Sequence, residues 1–200
     1  MPERLMELAM RHGGPPQGSA QIYALSLWKC MTNGYLAKSL SRDEAVSCFL
    51  RNYEFLVKKV SCEGVLKLCS DDYVLWDNRR YHVTAKMEHG ILDESENTLH
   101  FKEGWRAIYG TSFSFVPGHI FGSDEPDVIL ISRMQGRAGE GEKYLEATKS
   151  CGDITPQFVT YNVLLGLAKT LRIHSIIGVA AQNQVYYKEA LSDIFIPTYD

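Results

Sequence analysis

The residues best suited to chemistry stand together at Arg133-Met134-Gln135-Gly136-Arg137-Ala138-Gly139. An apolar, β-branched run at 127–134 precedes them, and a polar segment of helical composition at 140–150 follows. A strand entering a glycine-rich turn before a helix presents backbone N–H groups, and these with the helix dipole suit phosphate. Gly136 lets the backbone approach a ligand closely. Arg133 and Arg137 can add charge-assisted hydrogen bonds. A second reading stays open: a strand–helix turn chosen for steric reasons alone. The segment after the turn carries Glu140, Glu142 and Glu146. Acid at a helix N-terminus already complements the dipole and repels phosphate.

Other constellations are weaker. The six histidines lie at 12, 82, 89, 100, 119 and 174, and none pair at helical or metal-ligand spacing, so no metal site is expected. His82 and His100 can face each other across adjacent strands. Cys62 and Cys69 share a helix face and read as core packing. Ser112 and Ser114 alternate along a strand and do not form a nucleophile elbow. Lys149 beside Gly152 can hold an anion or sit solvated at a helix C-terminus. Arg79-Arg80 with Trp76 and Tyr81 make a small basic–aromatic patch. Glu88, Asp127 and Glu142 are candidate bases, and the sequence does not choose among them.

The elements that must position these residues are readable from period and caps. The chain has 200 residues, 45% hydrophobic and 22% charged, with a net charge of −3. That fits one domain of ordinary globular composition and gives no global drive toward nucleic acid or anionic membranes. Five cysteines, an odd number without CxxC spacing, read as free thiols in a reducing compartment. No apolar run is long enough for a signal peptide or a bilayer span. The expectation is a cytoplasmic protein; its oligomeric state is left open.

Residues 1–19 read as an N-terminal arm, helical over 1–12, with a Gly/Pro linker at 13–19; residues 20–200 read as one α+β domain. A buried helix is expected over 20–32. Ser41-Arg42-Asp43-Glu44 is a capping box, and Val46, Phe49, Leu50, Tyr53, Leu56, Val57 and Val60 follow at helical spacing. Residues 62–69 add a turn or two. Runs at 80–88, 97–103, 105–116 and 127–134 read as an antiparallel meander, broken at Glu88-His89-Gly90, Pro117-Gly118 and Gly122–Pro126. Thr155-Pro156 opens a helix over 157–171, apolar nearly all round and expected to be central. A buried strand at 175–181 and a helix at 184–192 complete the reading. The fold class is N-terminal helices followed by a mostly antiparallel sheet with a strand–Gly loop–helix–strand unit.

Several motifs resemble the VirK/YbjX family. They are Ile131–Gly136, ending in Gln-Gly; Thr148-Lys149…Gly152…Pro156; Ile176–Val179 followed by Asn183 and Val185-Tyr186; and Phe113-Ser114-Phe115. Their order covers roughly 30–200. The sequence departs at Arg133, where a small residue is expected, and at Tyr199-Asp200, where family members continue; a shortened relative and a truncated chain are both open. The resemblance implies a role in bacterial envelope maintenance, virulence or antimicrobial-peptide resistance.

Arg133–Ala138 also fits Arg/Gln-x-x-Gly-x-Gly/Ala, which is similar to the pyrophosphate loop of GNAT-type N-acyltransferases. That resemblance implies a GNAT-like core, with acyl-CoA or another phosphate-bearing acyl donor on Arg133, Gln135, Gly136, Arg137, Ala138 and Gly139. It implies Asn183 and Tyr187, or equally Tyr186, as catalytic residues, with the tyrosine as general acid toward the leaving thiolate. The acceptor would be a small-molecule or peptide amine. Three functions follow as alternatives: an acyl or aminoacyl transferase, a non-catalytic binding protein, and a biosynthetic enzyme recruited from the family.

Overall fold

The computed structural model describes residue 30 and residues 35–88 and 94–189. The arm, the linker, most of the helix expected over 20–32, and the break at His89-Gly90 lie outside these residues. Cys30 is helical and buried.

The capping box forms as expected and starts α1 (Arg42–Val60). Ser41 Oγ accepts from the Glu44 amide, and the Glu44 carboxylate accepts the Ser41 amide at 2.8 Å. Its stripe buries Val46, Phe49, Tyr53 and Leu56. After Ser61 the chain turns into α2 (Cys62–Ser70). Next come β1 (Tyr73–Asp77), β2 (Tyr81–Met87), β3 (Asn97–Glu103), β4 (Arg106–Pro117) and β5 (Asp127–Gly136). The chain then forms α3 (Gly141–Ser150), α4 (Pro156–Leu171) and β6 (Ile176–Gly178). The six strands make one sheet in sequence order, antiparallel throughout except for the β5–β6 pair. This is the expected α+β class.

The helices pack on one face of the sheet. Phe55 of α1 stacks on Phe115 of β4 with ring centroids 4.4 Å apart. Asn52 Oδ1 accepts from the Phe115 amide at 3.0 Å and from Asn97 Nδ2 at 2.7 Å, tying α1 to β3 and β4. Thr111 donates to Thr160 at 3.0 Å and ties β4 to α4.

Five expectations change. β1 was not foreseen; it is a short edge strand between polar turns. The α4 helix is capped by Thr155 and Pro156 as read, but it is not central. Only Pro156, Thr160, Leu164 and Ala168 are buried, while Phe158 is 56% and Leu165 41% exposed. One flank of α4 meets the sheet, and no second layer covers the other among the described residues. β6 holds three residues instead of 175–181, because its pairing with β5 ends at Gly178. Residues 184–188 are turns and irregular chain, not the start of a helix. His82 and His100 share a face but are not opposite: His82 pairs with Lys102, and His100 with Thr84.

Candidate functional site

The face of the sheet turned away from the helices is polar, and it is also buried. The strand registers lay it out in rows. Lys86, Thr98, Ser112 and Arg133 form one row, and Thr84, His100, Gly110 and Gln135 the next. Thr84, Thr98, His100, Ser112 and Ser114 are all almost fully buried. Buried polar surface is the informative exception in a protein interior.

Arg133 and Gln135 reach this face through a β-bulge. Ile129 and Ile131 oppose Phe115 and Phe113 on the helix side, and simple alternation would put Arg133 there too. The register slips between Ser112 and Phe113, leaving Ser132 as an extra residue, and Arg133 opposes Ser112 instead. Ser132 Oγ donates to the Ser112 carbonyl at 3.3 Å, and Arg133 donates to Ser112 Oγ at 3.3 Å. The bulge also marks where β6 stops. Val179 donates to the Ile131 carbonyl at 3.0 Å, and β5 then runs on to Gly136 without a β6 partner. From Gln135 to Gly139 the chain is exposed. The polar face is thus closed at His100 and open at the Gln135 end.

At its centre Glu88 and His100 pair, Oε1 to Nε2, at 2.9 Å. Burial pushes the Glu88 carboxyl up. The His100 hydrogen bond and charge, with Arg137 and Arg133 nearby, outweigh this and hold it at about 2. An ionised Glu88 accepts the Nε2 proton, and Nδ1 is the ring nitrogen that this hydrogen bond leaves over. Nδ1 is buried and has no hydrogen-bond partner among the described residues. It faces Gly110, where an added Cβ would lie 3.8 Å away. Glycine inside a strand weakens it and marks a site of close approach. At the edges, Tyr35 and Ser114 both donate to Glu96, and Lys102 pairs with Asp72. Burial and the Glu96 charge push the Tyr35 phenol well up.

The loop itself is a tight turn. Glu140 donates to the Arg137 carbonyl at 3.1 Å, with Gly139 at a φ of 81°. Arg137 spends its amide on Ile108 at 2.9 Å. The donors that remain for an anion are the amides of Ala138 and Gly139 and the first amides of α3. A hollow of about 360 Å³ lies beside the turn, lined by Ile108, Gly136, Arg137, Glu140 and Tyr144. The acid expected to repel phosphate is partly neutralised, since Arg106 binds Glu140 at 2.8 Å.

The other predicted residues fall elsewhere. Asn183 is exposed, and its carbonyl accepts from the Lys38 amide at 2.9 Å. Lys38 also donates to the Tyr187 carbonyl at 2.6 Å and lies over the Tyr187 ring. Tyr186 is 43% exposed. Of the candidate bases, Asp127 is bound by Arg51, and Glu142 is exposed in the first turn of α3; only Glu88 sits in the polar cluster. Arg80 is held by Glu103 and Glu146, which neutralises the basic–aromatic patch. Lys149 is exposed at the end of α3. The thiols of Cys48, Cys69 and Cys151 are all pushed up by burial, Cys48 to about 12, so none is a poised nucleophile. Sequence reasoning missed the Glu88–His100 pair. The signal was available in the alternation of His82, Thr84, Lys86 and Glu88, a polar phase on a strand whose other phase is apolar.

A family model described as "Protein of unknown function (DUF535)" matches residues 15–192. The chain belongs to the DUF535 family. That family includes VirK/YbjX, as the motifs between Phe113 and Tyr186 indicated. Comparison with curated proteins and with solved structures found no match to either. No helix among the described residues is long and apolar enough to cross a membrane.

Proposed function

We propose that this DUF535 protein transfers an acyl or aminoacyl group to an amine, on the polar face of the sheet. The carrying observation is the bulge at Ser132. It delivers Arg133 and Gln135 to the face that holds Glu88 and His100, at the point where β5 runs on without β6. In this reading Nδ1 of His100 takes the proton of the attacking amine, and Glu88 orients the ring. Arg133 and Arg137, with the turn at 135–139, hold the phosphates of an acyl donor such as acyl-CoA. The proton that His100 receives passes to the leaving thiolate. A binding role in the bacterial envelope requires no oriented base, and a biosynthetic enzyme of the family would use the same face on a different amine.

The test is calorimetric titration of the full chain with CoA and acetyl-CoA, together with thiol release in the presence of amines. Acetyl-CoA should bind, and His100→Gln should bind it as well as wild type while releasing thiol at a rate lower by a factor of about 10² or more. Gly110→Val should fill the space before Nδ1 and abolish turnover with the fold intact. The reading fails if neither CoA nor acetyl-CoA binds, or if His100→Gln turns over normally.

A further inference from the structure

A separate hollow lies on the helix side of the sheet, where α4 meets the edge strand β1. Its outer part is a surface groove of about 610 Å³, walled by Trp76, Phe158 and Val163. Its inner part is a half-enclosed cavity of about 320 Å³ that reaches Leu68, Phe113 and Phe115. Leu75 and Leu167 line both, so the groove adjoins the cavity.

Three observations bear on what this space accepts. The polar side chains of the outer groove are turned back on their own helix, Asn162 donating to the Phe158 carbonyl at 2.8 Å and Thr170 to the Gly166 carbonyl at 2.9 Å; in the cavity Asn97 donates to Asn52 at 2.7 Å, which leaves Lys67 and Lys86 as its charged groups. Little hydrogen-bonding capacity is left for a sugar or a peptide backbone. Gly166 stands in the middle of α4, where glycine destabilises relative to alanine. An added Cβ there would meet nothing within 4 Å, so no close packing requires the glycine, and its effect is to keep the groove open. The inner cavity is roughly twice the ~150 Å³ that stays dry and accepts a benzene ring when lined by Leu, Ile and Phe. Such space forfeits dispersion contacts until an apolar group fills it. A groove that continues into a half-enclosed cavity suits a flexible chain rather than a folded partner.

We propose that the groove and cavity bind the aliphatic chain of a fatty acid, about ten carbons or longer. Lys67, exposed on the last turn of α2 and lining the cavity, holds the carboxylate, and the tail runs past Leu75 and Leu167 into the groove. The site is on the opposite face from Glu88–His100 and is independent of acyl transfer there.

Calorimetric titration of the full chain with sodium dodecanoate, below its micelle concentration, tests this. Wild type should show saturable binding, and dodecylamine should bind more weakly. Gly166→Leu should keep a thermal midpoint equal to or above wild type yet lose about tenfold in affinity. Lys67→Gln should lose several-fold. Should Gly166→Leu not give a native circular dichroism spectrum, Thr170→Leu, at an exposed position of the same groove, must show the loss. The proposal is overturned if wild type shows no saturable binding, if the groove variants bind as wild type does, or if the amine binds as tightly as the carboxylate.

Discussion

Along β4, Tyr109, Thr111, Phe113 and Phe115 point toward the helices, while Ser112 and Ser114 point the other way, and all six are buried. The helix face is held by ring stacking and apolar burial, with Asn52 and Thr160 as its few polar ties. The opposite face is held by hydrogen bonds and charge: Thr98 with Ser112, Arg133 with Ser112, Glu88 with His100. A purely structural sheet of this size would leave its second face to solvent or cover it with apolar side chains. Burying hydroxyls, an imidazole and a carboxylate there carries desolvation costs that the apolar face avoids. The proposed acyl transfer rests on that difference.

The sharpest way to break this comparison is to remove the bulge that separates the faces. Inserting one alanine between Ser112 and Phe113 gives Ser132 a partner, restores one-to-one pairing and turns Arg133 into phase with Ile129 and Ile131, toward the helices. An unpaired guanidinium in that layer should cost about 4 kcal/mol or more, enough to abolish cooperative folding. Ser132→Ala keeps the bulge and loses one hydrogen bond, so it should cost only about 1 kcal/mol. Urea denaturation of both variants gives the answer. Equal stability of the insertion variant and wild type would mean that the bulge does not sort the faces.

A smaller effect probes the polar face alone. Glu88→Gln exchanges a charge-assisted hydrogen bond for a neutral one and should cost about 2 kcal/mol near neutral pH. The folded carboxyl sits at about 2, below its ordinary 4.5. Its stabilisation is therefore complete above about pH 4.5 and is lost as pH falls toward 2. The gap between wild type and variant should narrow over that window. A gap that stays constant with pH would show that the carboxylate charge is not what stabilises the pair.

The sequence revealed one face far better than the other. Helical spacing in α1 and the capping box at Ser41 announced the apolar layer, because a 3.6-residue period is a local signal. The strands of the meander were legible for the same reason. The turn at Gln135-Gly136 was legible as a turn. What joined it to the Glu88–His100 pair was not, because the bulge is a property of two strands: Arg133 stands in phase with Ile129 and Ile131, and only pairing with Ser112 reveals the slip. His100 had no partner at a recognisable spacing, since Glu88 meets it across the sheet. The uniform apolarity of α4 misled in the other direction. It reads as a central helix, yet Phe158 and Leu165 face outward and border a groove.

The smallest expected effect compares two glycines, one on each side of the molecule. Gly139 has a φ of 81° and open space at its missing Cβ, so its requirement is conformational and not steric. Gly139→Ala should lower stability by about 1 kcal/mol, the cost of a left-handed backbone for an L-residue. Gly166 is helical and equally unhindered, so Gly166→Ala should raise stability by about 1 kcal/mol. The two substitutions are chemically identical and opposite in sign, which thermal unfolding resolves. Ligand binding then separates the sites. Gly139→Ala should weaken acetyl-CoA binding and leave dodecanoate binding unchanged, because the turn at 137–140 sets the amides of the polar face. If Gly139→Ala loses stability but binds acetyl-CoA as wild type does, the turn serves only to connect β5 to α3, and any donor must be held by Arg133 and the buried polar row instead.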